Sequence, residues 1–160
     1  MDRQYDKAKM GKLMCVLFLL FAAAYLLLLF FVNQRIERVD VSGCDKDGAD
    51  RMEYQIEKID VAYGYVQIRG YAYEPGASID TADTRILAYD PVGDAYYRLP
   101  TEHVKKEKIT EKAGDGFNYD YAQFRAVARA GKLPGGCRVC IWYCCNGANR
   151  LIHTDEVIFY

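Results

Sequence analysis

Six cysteines, two histidines and a row of tyrosines are the side chains of this sequence that could do chemistry. Cys137, Cys140, Cys144 and Cys145 form a Cys-x2-Cys-x3-Cys-Cys cluster; Cys44 lies far upstream and Cys15 falls inside an apolar run. A zinc site needs four nitrogen or sulfur ligands converging tetrahedrally, usually from a Cys-x2-Cys on a tight knuckle. Here Arg138-Val139 and Ile141-Trp142-Tyr143 predict an extended strand through the cluster. On a strand Cys140 and Cys144 share one face, whereas Cys137 and Cys145 point the other way. Four ligands then cannot converge, so no metal is expected, and the alternative ligand set is Cys140, Cys144 and His153. Residues four apart on a strand lie about 13 Å apart, too far for a Cys140–Cys144 disulfide. Any bridge would cross to Cys44 or to another chain, and reduced, partly buried thiols are the plainer expectation.

A two-residue Asn146-Gly147 turn places Cys140 opposite His153, and Arg138 opposite Asp155. That Cys–His pair suggests a nucleophile and its base. The sequence supplies it with neither an orienting third group nor an oxyanion hole, so a structural cross-strand pair is expected. His103 stands in a charged stretch and is expected to be solvated. Asp80, Asp83, Asp90 and Asp94 flank turns, where aspartate caps backbone groups. They lack EF-hand spacing. No P-loop or dinucleotide glycine fingerprint occurs. Tyr63, Tyr65, Tyr71 and Tyr73 form a stripe whose rings could stack on sugars or on partner side chains, or could cover one face of a sheet. No cofactor is expected.

These residues must be positioned by what surrounds them, and the first element is not soluble in character. All 20 residues from Leu13 to Val32 are apolar, with no charge, proline or glycine. As a helix this run spans about 30 Å, the hydrocarbon thickness of a bilayer. Lipid offers no partner to backbone polar groups, which requires a helix. A cleaved signal would have a shorter apolar run ending at small residues. Here Ala22–Ala24 sits mid-run and Asn33-Gln34-Arg35 offers no such site. Arg3, Lys7, Lys9 and Lys12 precede the run; Arg35 and Arg38 follow it. The positive-inside bias then predicts a cytoplasmic N-terminus and an extracytoplasmic C-terminal domain. The expected organisation is a basic tail (1–12), a transmembrane helix (13–32), a polar stalk (33–51) and a domain (52–160). The net charge of −1 offers no polybasic surface, which argues against nucleic acid as a partner.

Beyond Met52 short apolar and aromatic runs alternate with turn residues. Candidate strands are 53–61, 63–74, 84–90, 95–99, 122–129, 137–145 and 150–159. Glu74-Pro75-Gly76, Asp90–Asp94, Leu133–Gly136 and Asn146-Gly147 punctuate them. Val66, Ile68, Gly70 and Ala72 alternate with Tyr65, Gln67, Arg69, Tyr71 and Tyr73. Glu102–Lys112 reads equally as a helical turn or a long surface loop. The expected fold class is one transmembrane α-helix plus an all-β, immunoglobulin-like sandwich of about seven antiparallel strands.

Several runs carry a resemblance: Ile68–Tyr73, Arg85–Ala88, Tyr96–Leu99, Asn118–Phe124 and Leu133–Gly136. Together they resemble a β-sandwich accessory module of bacterial cell-envelope proteins, found in wall-polymer and surface-polysaccharide glycosyltransferases and in small anchored proteins of Gram-positive bacteria. Tyr71 stands where that module usually has Trp, Ala122-Gln123 where it has Ser-Gly, and Cys137 where it has an aromatic residue. The resemblance covers about residues 55–160 and implies a non-catalytic accessory or interaction protein linked to surface-polysaccharide assembly. Its expected partners are the lipid bilayer and an envelope polysaccharide or a membrane protein. A carbohydrate-binding module using exposed tyrosines and a thiol-based redox or metal protein remain the alternatives.

Overall fold

The computed structural model describes residues 7–33 and 35–159; the tail charges Asp2, Arg3 and Asp6 lie outside the described residues. Helix α1 (Lys7–Asn33) contains the apolar run. Its stretch Lys9–Val32, 24 residues, is long and apolar enough to cross a membrane. Leu13, Phe18, Leu20 and Phe31 along it are all exposed. A helix apolar on every side has no solvated face to turn toward water.

The second unit begins at Ile36. Among the described residues it holds nine strands in two antiparallel sheets. They are β1 (Glu37–Val39), β2 (Glu53–Ala62), β3 (Tyr65–Tyr73), β4 (Thr84–Asp90), β5 (Ala95–Arg98), β6 (Thr101–Val104), β7 (Gln123–Arg129), β8 (Arg138–Tyr143) and β9 (Arg150–Val157). One sheet runs β1-β5-β4-β8-β9 and the other β2-β3-β7-β6. The seven expected strands all form. The two additional ones, β1 and β6, are short edge strands.

Alternation determines which side chains meet between the sheets. Val66, Ile68, Ala72, Phe124 and Ala126 of the four-stranded sheet join Ile86, Ala88, Val139, Ile141 and Ile152 of the five-stranded sheet in one buried cluster. Removing this surface from water supplies the main driving force for folding, at roughly 25 cal/mol per Å². Gly70 lies on the same inward face, opposite Phe124 on β7. A Cβ there would collide with the Gln55 carbonyl oxygen and approach Phe124 Cζ to 2.8 Å. Only glycine lets β2 and the Phe124 ring come this close.

Two hairpins have left-handed backbone in their connections. Tyr63 (φ 53°) and Gly64 (φ 75°) join β2 to β3, with Ala62 paired to Tyr65. The β8–β9 connection is longer: residues 144–149 separate the paired Tyr143 and Arg150, and Asn146 (φ 53°) and Gly147 (φ 79°) lie in its 3-10 turn. A two-residue turn that matches strand twist needs positive φ at both positions, which Tyr63-Gly64 supplies. Tyr63, expected at the start of a strand, is therefore a turn residue and fully exposed.

The segment expected to be a polar stalk is folded onto the domain. Its β1 pairs with β5, Val39 opposite Tyr96, and Glu37 accepts a 3.0 Å ion pair from Arg98. The chain then crosses the outer face of the five-stranded sheet. Asp45 donates its N–H to the Asn149 carbonyl and accepts from Leu151 N–H, at 2.8 and 3.0 Å. Val41 is buried with Leu87, Cys140 and Leu151 in a second, smaller cluster. The physical reason is that β4, β8 and β9 carry apolar side chains on both faces, so the outer face needs a cover. Helix α2 (Glu107–Ala113) occupies the stretch left open between helix and loop; Gly114 (φ 64°) ends it in the left-handed conformation.

Candidate functional site

On the outer face of the five-stranded sheet, Cys140 and His153 are direct cross-strand partners. The Asn-Gly turn predicts this register. Arg138, however, opposes Val157 rather than Asp155, because a bulge intervenes between Arg138 and Cys140. Cys140 Sγ lies 3.5 Å from His153 Nδ1, and His153 Nε2 lies 3.2 Å from the Tyr96 hydroxyl. Tyr89 stacks on Tyr96 at 4.7 Å and meets the His153 ring edge-on. Tyr96 was not legible as a member of this group, because only β5–β4 pairing brings it over the β8–β9 hairpin.

The electrostatics of this group oppose nucleophilic chemistry. Cys140 is fully buried, and burial pushes its thiol up to about 12. Burial, with the nearby Lys46 and Arg138 cations, holds His153 below the ordinary imidazole value. Burial raises Tyr96 to about 12. At neutral pH all three groups are neutral. A thiol is a nucleophile only as its thiolate; in its protonated form the Cys140 thiol packs with Val41, Leu87 and Leu151 and lies within hydrogen-bonding distance of His153.

The other cysteines outside α1 are also free thiols with structural surroundings. Cys44 packs beside Cys140 and donates to Asn149 Oδ1 at 3.2 Å. The same oxygen accepts from Trp142 Nε1 at 2.8 Å, and Asn149 Nδ2 donates to the Gly43 carbonyl at 2.9 Å. Cys137 donates to the Pro134 carbonyl and, being buried, is pushed up to about 11. Cys145 accepts from Asp83 N–H at 3.3 Å inside the main core. Cys144, half-buried, is likewise raised to about 11 by burial. Among the described residues no group of three or more His, Cys, Asp or Glu could hold a metal. The alternative set Cys140, Cys144 and His153 therefore does not assemble into such a group.

His103 is not solvated. It is half-buried on β6 and accepts a 2.8 Å hydrogen bond at Nε2 from Thr84 N–H on β4, tying one sheet to the other. Burial lowers its basicity, which keeps Nε2 free to accept.

The four tyrosines do not form one exposed row. Tyr63 is fully exposed on its turn. Tyr65 lies half-buried beneath the Arg129 guanidinium, 5.7 Å from ring centroid to Cζ. Tyr71 and Tyr73 are buried, with rings 6.1 Å apart, and Tyr73 packs at 4.2 Å on Tyr119. The Tyr119 hydroxyl donates to Asp115 at 2.6 Å and accepts from Gly76 N–H at 2.7 Å, which fixes that end of the row.

Beside Tyr71 and Tyr73 is a cavity of about 210 Å³, bounded by Gln55 and Glu57 of β2 and by Lys106, Lys108 and Lys112 in and before α2. Lys106 contacts Glu57 at 3.1 Å, and Gln123 donates to the other Glu57 oxygen. Lys112 Nζ stands 5.8 Å from the Tyr71 ring centroid. These lysines were not singled out in the sequence. The four-residue interval between Lys108 and Lys112 was the available signal, since it puts both on one helix face. No protein-family model, curated protein or solved structure matches this chain.

Proposed function

We propose that this protein is a membrane-anchored, non-catalytic interaction module of the cell envelope, with α1 in the bilayer and an immunoglobulin-like sandwich on the extracytoplasmic side. The observation that carries the proposal is the joining of two dissimilar parts. One is a 24-residue helical stretch, Lys9–Val32, long and apolar enough to span a bilayer, with its large apolar side chains exposed; the other is a β unit with its own core beginning at Ile36. Such a helix has a stable environment in lipid, and such a unit is stable in water.

The strand orders support the finer fold. The order β2-β3-β7-β6 corresponds to the A-B-E-D sheet of immunoglobulin domains, and β5-β4-β8-β9 to a C′-C-F-G sheet, with β1 as an added edge. The protonated, buried Cys140 beside a neutral His153 supports a non-catalytic reading of that pair. The sequence resemblance to accessory modules of surface-polysaccharide proteins supports the envelope setting. Membrane fractionation tests the anchor. The chain should remain in the pellet through alkaline carbonate and require detergent for release, and deleting residues 13–32 should free the domain into the soluble fraction. Full-length chain recovered in buffer without detergent would refute the proposal.

A further inference from the structure

We propose that the cavity between α2 and the outer face of the β2–β3 hairpin binds an acidic sugar unit, a ring-sized polyol carrying a carboxylate or a phosphate. This inference rests on reading the domain as an interaction module and gives that module a ligand class. The first argument is charge. Glu57, the carboxylate bounding the cavity, is already engaged by Lys106 and Gln123. Lys105, outside the cavity, is engaged by Glu107 and Asp120. Lys108 and Lys112 have no carboxylate partner among the described residues, and both border the cavity from the same face of α2. Two lysines four residues apart on one helix face, neither in an ion pair among the described residues, leave the cavity lining with more positive than negative charge, which favours an anion there. Lysine serves as a point charge for carboxylate or phosphate.

The second argument is the polar lining. Tyr71 donates its hydroxyl hydrogen to Gln55 Oε1 at 3.2 Å. That bond holds the amide oxygen, and among the described residues the amide nitrogen donates to no other group, in a side chain that lines the same cavity as the lysines. Hydroxyl-rich ligands need donors and acceptors held in place, and this amide–phenol pair is held. The third argument is size and rigidity. A volume of about 210 Å³ is below that of sites for drug-sized molecules and suits a single ring. Tyr73 is clamped between Tyr71 and Tyr119, so the wall is formed before any ligand arrives. A preformed wall spares the ordering cost of binding. Glu53, paired opposite Tyr73 at the start of β2, lies outside the cavity lining.

The test is a ligand-observed NMR titration of the full chain in nanodiscs, using glucuronate, glucose 1-phosphate, glucose and inorganic phosphate. Both acidic sugars should bind, with glucose and inorganic phosphate each roughly tenfold weaker or more, since each lacks half of the recognised chemistry. The Lys108→Gln/Lys112→Gln double variant should weaken the acidic sugars by roughly tenfold, and raising the salt concentration should do the same. Lys105→Gln, which removes a charge outside the cavity, should leave their affinity unchanged. Glucose or phosphate binding as tightly as the acidic sugars would overturn the proposal. So would a double variant with unchanged affinity, or a Lys105→Gln variant weakened as much as the double. The nanodisc separates the two readings: a chain that incorporates but binds no acidic sugar sinks the site and leaves the anchor standing.

Discussion

Cys140 should be among the least reactive thiols in the protein, and the expected margin follows from its surroundings. Its ordinary value near 9.0 is pushed up to about 12 by burial under Val41, Leu87 and Leu151. Three decades separate those values, so at pH 8 its thiolate fraction falls from about one in ten to about one in ten thousand. Rates of alkylation fall by up to that factor of roughly 10³, partly offset by the greater nucleophilicity of a more basic thiolate, before any steric protection is counted. The assay is pulsed iodoacetamide labelling of the native chain in detergent, with each cysteine-bearing peptide quantified by mass spectrometry against glutathione as an unhindered thiol. Cys44, half-exposed, should label first; Cys144 should follow, and Cys137 and Cys140 should stay protected until urea unfolds the domain. Labelling of native Cys140 within tenfold of the Cys44 rate would refute the reasoning. It would mean that His153 draws the proton and that the pair is a working nucleophile.

Three further outcomes follow from the packing. Gly70→Ala should lower stability by about 3 kcal/mol, because its Cβ meets backbone of β2 that cannot move aside; urea titration followed by the fluorescence of the single Trp142 measures it, and a change below about 1 kcal/mol would contradict the close approach. Val41→Ala should loosen the covering segment by about 2 kcal/mol, through two lost methyl groups and the space they leave. Native Cys140 alkylation should then accelerate by up to about thirtyfold. Acidification should destabilise the domain through His103. Its folded value lies below 6.5, so its contribution is complete above that pH and is lost as the pH falls from 6.5 toward the folded value, where the unfolded chain holds the extra proton. His103→Gln should reduce the slope of the stability–pH curve in that window, leaving the share of His153, whose value burial also lowers, and an unchanged slope would rule out the burial of His103 as a cause.

The strands that were legible in the sequence share two properties: turn residues bound them, and an alternating apolar face runs through them. The Cys140–His153 pairing is centred on Asn146-Gly147, which made that register legible although the strands part at Tyr143 and Arg150 into a longer loop. The bulge that moves Arg138 off Asp155 was not legible, since nothing local marks it. β1 and β6 are three and four residues long, too short to show alternation, and their pairing depends on β5 and β7, which lie far along the chain. The segment before Met52 looked solvated because it is polar, yet Val39, Val41 and Cys44 suffice to hold it over a sheet that is apolar on both faces. The tyrosine stripe misled in a similar way. Alternation correctly put Tyr71 and Tyr73 opposite the main core face, but α2 covers that outer face, and the charged composition of 102–121 left α2 ambiguous with a loop.

The central claim is that α1 crosses the bilayer with the β domain outside. Peptide-resolved labelling of intact cells with a membrane-impermeant amine reagent tests it most directly. Lys108 and Lys112, exposed on α2, should be modified in intact cells, whereas Lys9 and Lys12 should be modified only after permeabilisation. Modification of Lys9 and Lys12 in intact cells, with Lys108 and Lys112 protected until the membrane is opened, would contradict the account.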